Sequence, residues 1–287
     1  MTLNAKTIQI ILPTGDPRGL RIAEITTRIV QVIEVPRTRL DEFMKMPESA
    51  QVAIYFLCGA SESGSGDQVY IGQTGDVRAR LASHNSTKGF WQRAFVLVSR
   101  TSSLTQTHAL FLEWHCLKLA ADAARYTVEN GNAGSKPHTP APLEADCLEI
   151  FETGRILLST LGFPVFDALV SGTNTTATET FLCTAVGSKA RGLFTDEGFV
   201  VLKGSIGRKQ NAASIKGTSS ERFRAKLLEA AVMRVDGDKV IFDKNHLFGS
   251  PSMAAIAVLG RQANGWVEWK LKDGRTLDQV KRRGVDA

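Results

Sequence analysis

No stretch of these 287 residues approaches the roughly 20 consecutive apolar residues that a membrane-spanning helix needs, so no membrane partner is expected. The opening segment, Met1 to Ile11, has no charged start followed by an apolar run and a cleavage site. A cytoplasmic location is therefore the default expectation. Cysteine is scarce. Cys58, Cys116, Cys147 and Cys183 are far apart and form no paired-Cys motif, which argues against both a zinc site and a disulfide framework. The five histidines are equally scattered, and His108 and His115 are not at the i, i+4 spacing that places two ligands on one helical face. Internal repeats and sustained low-complexity tracts are also missing.

What is present is an uneven charge. The formal net charge is +6, but residues 1–185 hold 16 Lys and Arg against 18 Asp and Glu, a net of −2. Residues 186–287 hold 19 against 11, a net of +8. A basic C-terminal third suits a polyanion, which binds by releasing counterions, although a merely solvated basic surface has the same composition.

Apolar periodicity and turn residues predict the order of elements. Two apolar runs between Thr7 and Ile25 surround a Gly/Pro/Asp cluster and read as a hairpin. Arg37 to Met46 reads as a short helix. Ala53–Cys58 and Gln68–Gly72 read as strands around a polar Gly/Ser loop, Asp76–His84 as a helix and Phe95–Ser99 as a third strand. Leu104–Tyr126 reads as a long helix with its apolar stripe at Leu110, Trp114, Leu117 and Ala121. Residues 130–142 should form a loop and Glu144–Leu161 a helix. Further on, Gly198–Lys203 is an expected strand, and Ser219–Arg234 a helix opened by a Thr218-x-x-Glu221 capping box. Residues 235–242 turn through Asp236-Gly-Asp, a helix runs from Ser250-Pro251 to near Gly260, and residues 265–271 make a strand.

Ala53-Ile-Tyr55, then Tyr70-Ile-Gly72, then Arg80-Leu-Ala-Ser-His84 resembles the signature of the GIY-YIG nucleases, with Ala53 in place of the first glycine. The resemblance extends over residues 50–135, through Glu113 on the long helix to Asn130. It implies a small antiparallel sheet flanked by helices, and phosphodiester hydrolysis in DNA in a context of restriction, phage defence or repair. RNA stays open as a substrate.

By that resemblance Glu113 is the metal ligand, holding Mg2+ or Mn2+ through a hard oxygen while water and phosphate complete the shell. Arg80 is a phosphate clamp through its planar donor fork. Tyr55 and Tyr70 lie side by side on paired strands, where a phenol can take a proton from water or orient it. His84, four residues after Arg80, shares its helical face as a base relay or phosphate ligand. Asn130 orients Glu113 or binds phosphate. Each residue also has an ordinary reading: a surface glutamate, solvated arginines at 78 and 80, core tyrosines, a capping histidine, a turn asparagine.

Ser250 to Gly260, Asn264 to Trp269 and Asp273 to Leu277 resemble a small domain of poorly defined function appended to such nucleases, and also restriction- and methylase-associated modules. Here the expected nucleic-acid contacts are Lys203, Arg208, Lys209 and Lys216 around a small-residue loop. Trp266 and Trp269 join them; opposite strand parity would bury one and expose the other for base stacking.

The expected protein is therefore α+β: an N-terminal hairpin and short helix (1–50), a GIY-YIG unit (51–170), a linker (171–194) and a basic α+β module (195–287). The rival reading is a non-catalytic nucleic-acid-binding protein with a nuclease-like fold.

Overall fold

The computed structural model, which describes residues 5–60, 67–131, 133–170 and 179–282, separates the chain into one unit ending at Ala168 and a second beginning at Leu169. Both are α+β.

The first unit contains β1 (Ile8–Ile11), β2 (Arg21–Ile25), β3 (Val30–Pro36), α1 (Leu40–Phe43), β4 (Ala53–Ala60), β5 (Asp67–Thr74), α2 (Val77–Thr87), β6 (Arg93–Ser99), α3 (Gln106–Ala123), β7 (Thr127–Val128) and α4 (Ala141–Thr160). Its strands form one sheet in the order β1-β2-β3-β6-β4-β5-β7, antiparallel except for β5 with β7. β4 lies inside the sheet and is covered on both sides, so it reads as an unbroken apolar run. Ile54 and Phe56 pack with α3 and α4; Ala53, Tyr55 and Leu57 pack with Val77 and Leu81 of α2 and with Trp91. Asp76 caps α2 by accepting from the Ala79 amide at 3.2 Å.

Several expectations need correcting. Residues 1–50 do not stand apart: the expected hairpin forms, but the unforeseen β3 pairs along its whole length with β6, so the segment supplies three of the seven strands of the sheet. The helix expected over 37–46 reduces to a 3₁₀ turn and the four residues of α1. In α3 the buried residues are Ala109, Leu112, Cys116, Ala120 and Ala123, together with Phe111 and Leu117, whereas Leu110 is 43% exposed. Of the expected stripe, Leu117 is buried and Trp114 packs against the core, while Leu110 and Ala121 are exposed.

The second unit contains β8 (Thr180–Ala185), β9 (Ser188–Thr195), β10 (Gly198–Val201), β11 (Ile206–Arg208), α5 (Ser219–Glu229), β12 (Met233–Asp236), β13 (Lys239–Phe242), β14 (His246–Phe248), α6 (Pro251–Leu259), α7 (Gly265–Glu268) and α8 (Leu277–Lys281). The sheet order is β12-β13-β11-β9-β10-β14, with β8 also on β9. Apolar α6 is buried against it. It approaches so closely that a Cβ on Gly207 would lie 2.8 Å from the Val258 carbonyl oxygen.

The expected linker holds β8 and most of β9; of its first part, residues 171–178 lie outside the described residues, as does the polar loop at 61–66. α5 ends at Glu229 instead of Arg234, because the last residues are drawn into the β12–β13 hairpin. Its capping box does not close: Thr218 accepts from the Ser220 amide, while Glu221 accepts from the Gly217 amide at 2.8 Å and from Asn211 at 3.2 Å. Residues 265–268 are one helical turn, not a strand. Asn264 caps it, and beyond it Lys270 makes isolated strand-like bridges to Leu182 and Thr276.

Candidate active site

Strand register brings the motif residues together. Tyr55 on β4 pairs with Gly72 on β5, and Tyr70 pairs with Leu57, so the two tyrosines are diagonal neighbours on one face. Their rings lie 6.2 Å apart and are inclined by 30°. α2 packs on the same face and sets Arg80 and His84, one turn apart, beside them. Arg80 donates from Nε to the Tyr55 hydroxyl at 3.0 Å, and His84 Nε2 is 2.9 Å from the same oxygen. The Tyr55 ring is fully buried, Tyr70 is half-buried and Arg80 is exposed.

His84 is 5% exposed, and burial, followed by the charges of Arg80 and Lys88, pushes its pKa down to about 4. At neutral pH it is an uncharged imidazole. Burial raises the Tyr55 pKa well above that of a free phenol, against the opposing pull of Arg80. An arginine Nε–H can only donate, so the Tyr55 oxygen accepts there. The phenol proton can then turn to His84 Nε2, with the ring proton on Nδ1, a buried atom without a hydrogen-bond partner.

Glu113 lies on α3, across the sheet from α2, and reaches the site around the edge of β5. That edge is satisfied in succession. β7 takes Val69; Asn130 Oδ1 accepts from the Ile71 amide at 2.8 Å and its Nδ2 donates to the Ile71 carbonyl at 2.7 Å; the Gln73 amide then donates to Glu113. Both polar atoms of Asn130 thus bond backbone and support this edge, and its second N–H and second oxygen lone pair stay available to a further partner.

The Glu113 carboxylate is half-buried, and burial raises its pKa despite the Gln73 hydrogen bond and the charge of Arg80. It makes no ion pair among the described residues. Among the described residues there is no cluster of three His, Cys, Asp or Glu, and what Glu113 itself offers is one hard carboxylate oxygen. That donor set fits Mg2+, which retains water and takes phosphate oxygens, and does not fit a closed zinc site.

Lys88 was not among the expected site residues. It caps the C-terminal end of α2, its Nζ 4.2 Å from the centre of the Tyr70 ring. The signal was its position, one turn beyond His84 as His84 is beyond Arg80. Arg78 instead donates to Ser49 Oγ at 3.0 and 2.9 Å and ties α2 to the turn before β4.

In the second unit, Lys203, Arg208, Lys209 and Lys216 are all exposed, and Lys209 donates to the Gly237 carbonyl. The two tryptophans separate for a reason other than strand parity. Trp269 is completely buried against Phe199 and donates to the Pro251 carbonyl at 3.0 Å, so it has no face for a base. Trp266 is half-buried between Phe194 and the Arg282 guanidinium, which lies 3.5 Å from its ring centre.

No helix among the described residues is long and apolar enough to cross a membrane. No curated protein and no solved structure matches this chain. Residues 181–281 are similar to a family described only as a domain of unknown function, DUF4357.

Proposed function

We propose that the protein is a metal-dependent endonuclease of the GIY-YIG type that hydrolyses phosphodiester bonds in DNA. The observation that carries this reading is the hydroxyl of Tyr55, held between Arg80 Nε and His84 Nε2 at 3.0 and 2.9 Å, with Tyr70 alongside and the half-buried Glu113 at the same strand end. Hydrolysis needs a base for water, positive charge at the phosphate and help for the leaving oxygen. A divalent cation on Glu113 supplies Lewis-acid charge at the phosphate when bound.

The remaining work falls to side chains. Tyr55 Oη takes a proton from water as its own proton passes to His84 Nε2. In the free protein Arg80 and Lys88 oppose an imidazolium at this position. An anionic phosphate seated against Arg80 offsets that repulsion, so substrate binding itself raises the proton affinity of the relay. Arg80 both orients the phenol and presents its remaining donors to phosphate.

The test is cleavage of plasmid, single-stranded DNA and RNA with Mg2+ or with EDTA, by the wild type and by Tyr55→Phe and Arg80→Ala. Metal-dependent cleavage is expected, with single-turnover rates falling far more than affinity in both variants. A loss confined to affinity would favour a binding protein that retains a nuclease-like fold.

A further inference from the structure

Four cations of the second unit line up on one face of its sheet. In β9, Lys189 and Arg191 point away from the core while Ser188 and Ala190 point in. Lys189 pairs with Ile206 of β11, Ile206 with Ile241 of β13, and Arg208 with Lys239, so the register puts all of these side chains on the same outer face. Lys189, Arg191, Arg208 and Lys239 are each exposed, and none makes an ion pair among the described residues. Arg234, Arg261, Arg275, Lys281 and Arg282 are paired, but other cations of the unit, Lys203, Lys216 and Lys272 among them, share the lack of an ion pair among the described residues.

Three features set this row apart from a generally basic surface. First, Arg208 and Lys239 are directly opposite on adjacent antiparallel strands, an arrangement of like charges that weakens a sheet. Second, Arg224 is buried beneath with no carboxylate paired to it among the described residues: it donates to the carbonyls of Arg208 and Ala257 and to Asn211, and the repulsion between it and Arg208 contributes, after burial, to lowering its pKa to about 10. A buried cation therefore adds to the surface row. Third, the acids that the register brings onto this face lie at its margin: Asp236 sits at the hairpin end, opposite Lys239 and 4.0 Å from Arg234, and Asp243 is engaged by Arg234 at 2.9 Å. The repulsion between Arg208 and Lys239 is relieved by an anion with charges repeated at strand-like intervals.

We propose that the outer face of β9, β11 and β13 binds a nucleic-acid backbone, with Lys189, Arg191, Arg208 and Lys239 contacting successive phosphates. The sheet face, and not the 203–216 loop alone, is then the polyanion site of this unit. The half-buried Ile206 and Ile241 between the cations give it a flat floor. This site is independent of the hydrolytic reading, since it needs neither Glu113 nor Tyr55.

The test uses the full chain in EDTA with Glu113→Gln as the background, so that binding is measured without cleavage. Affinity for duplex and for single-stranded DNA is followed against salt for two variants of equal charge. The face variant carries K189Q, R191Q, R208Q and K239Q; the control variant, drawn from cations outside both the face and the 203–216 loop, carries R222Q, K226Q, K244Q and K272Q. The face variant should bind duplex more than about tenfold more weakly. Its log–log salt slope should be flatter by about three to four, since each neutralised phosphate accounts for about 0.9 of that slope. The control variant should lose much less. Because Arg208 and Lys239 repel each other, R208Q/K239Q should melt no lower than the background, and this double variant alone should still weaken binding if the larger one fails to fold. Equal losses in both four-site variants would reduce the face to bulk charge and overturn the assignment. Unchanged DNA binding in the face variant would also overturn it and leave an acidic protein surface as the partner to seek.

Discussion

Gly72 lies beneath Tyr55 so closely that a Cβ built on it would overlap the phenol oxygen. The last residue of Tyr-Ile-Gly is therefore required by the ring on the neighbouring strand. Gly72→Ala should push the Tyr55 hydroxyl away from both His84 and Arg80 and destabilise the first unit by about 1–3 kcal/mol, the usual cost of overpacking. Thermal melting and single-turnover cleavage check this together. Normal values of both would show that the ring has room the geometry denies.

His84 should make stability depend on acid. Its folded pKa is about 4, below the roughly 6.5 of a free imidazole, so the unfolded chain binds the proton more readily. The penalty is absent above about pH 6.5 and grows as pH falls toward 4, reaching at most about 3 kcal/mol. Denaturant melts of the wild type and His84→Gln should converge or cross over this window. His246 and His115, also lowered by burial, account for the slope that remains.

Glu113 is raised by burial, so its ionised form weakens the fold at neutral pH, in the window above its unfolded value. Glu113→Gln should therefore melt no lower than the wild type in EDTA. Millimolar Mg2+ should raise the melting temperature of the wild type only. An equal rise in the variant would move the metal elsewhere, whatever happens to cleavage.

Asn130→Ala should strand the amide and carbonyl of Ile71 at the edge of β5 and cost about 1–3 kcal/mol. Its cleavage defect should follow the population of folded protein. A large rate loss at full stability would restore a direct part in chemistry.

Trp269→Ala removes a completely buried ring and should destabilise the second unit by about 3–5 kcal/mol, whereas Trp266→Ala, at a half-exposed site, should cost clearly less. Calorimetry separates the two, and similar losses would mean that the Arg282–Trp266 stack carries more than its exposure suggests.

Local chemistry was legible in the sequence wherever short-range rules dominate. The Asp76 and Ser250-Pro251 helix starts, the Asp236-Gly-Asp turn and the apolar run through Ala53–Leu57 all depend on neighbours a few residues away. The spacing of Tyr55, Tyr70, Arg80 and His84 also sufficed to bring them together, because two paired strands and the helix after them leave little freedom. Tertiary structure alone decided which residues of α3 were buried: Leu117 of the expected stripe is, Leu110 is not, and Ala109, Leu112 and Cys116 are. It also decided that Asn130 would bond backbone, that residues 265–268 would coil, and that Lys189, Arg191, Arg208 and Lys239 would share a face. That last grouping comes from the pairing of β9, β11 and β13, strands separated by up to fifty residues, and no local pattern records which distant strand a residue will oppose.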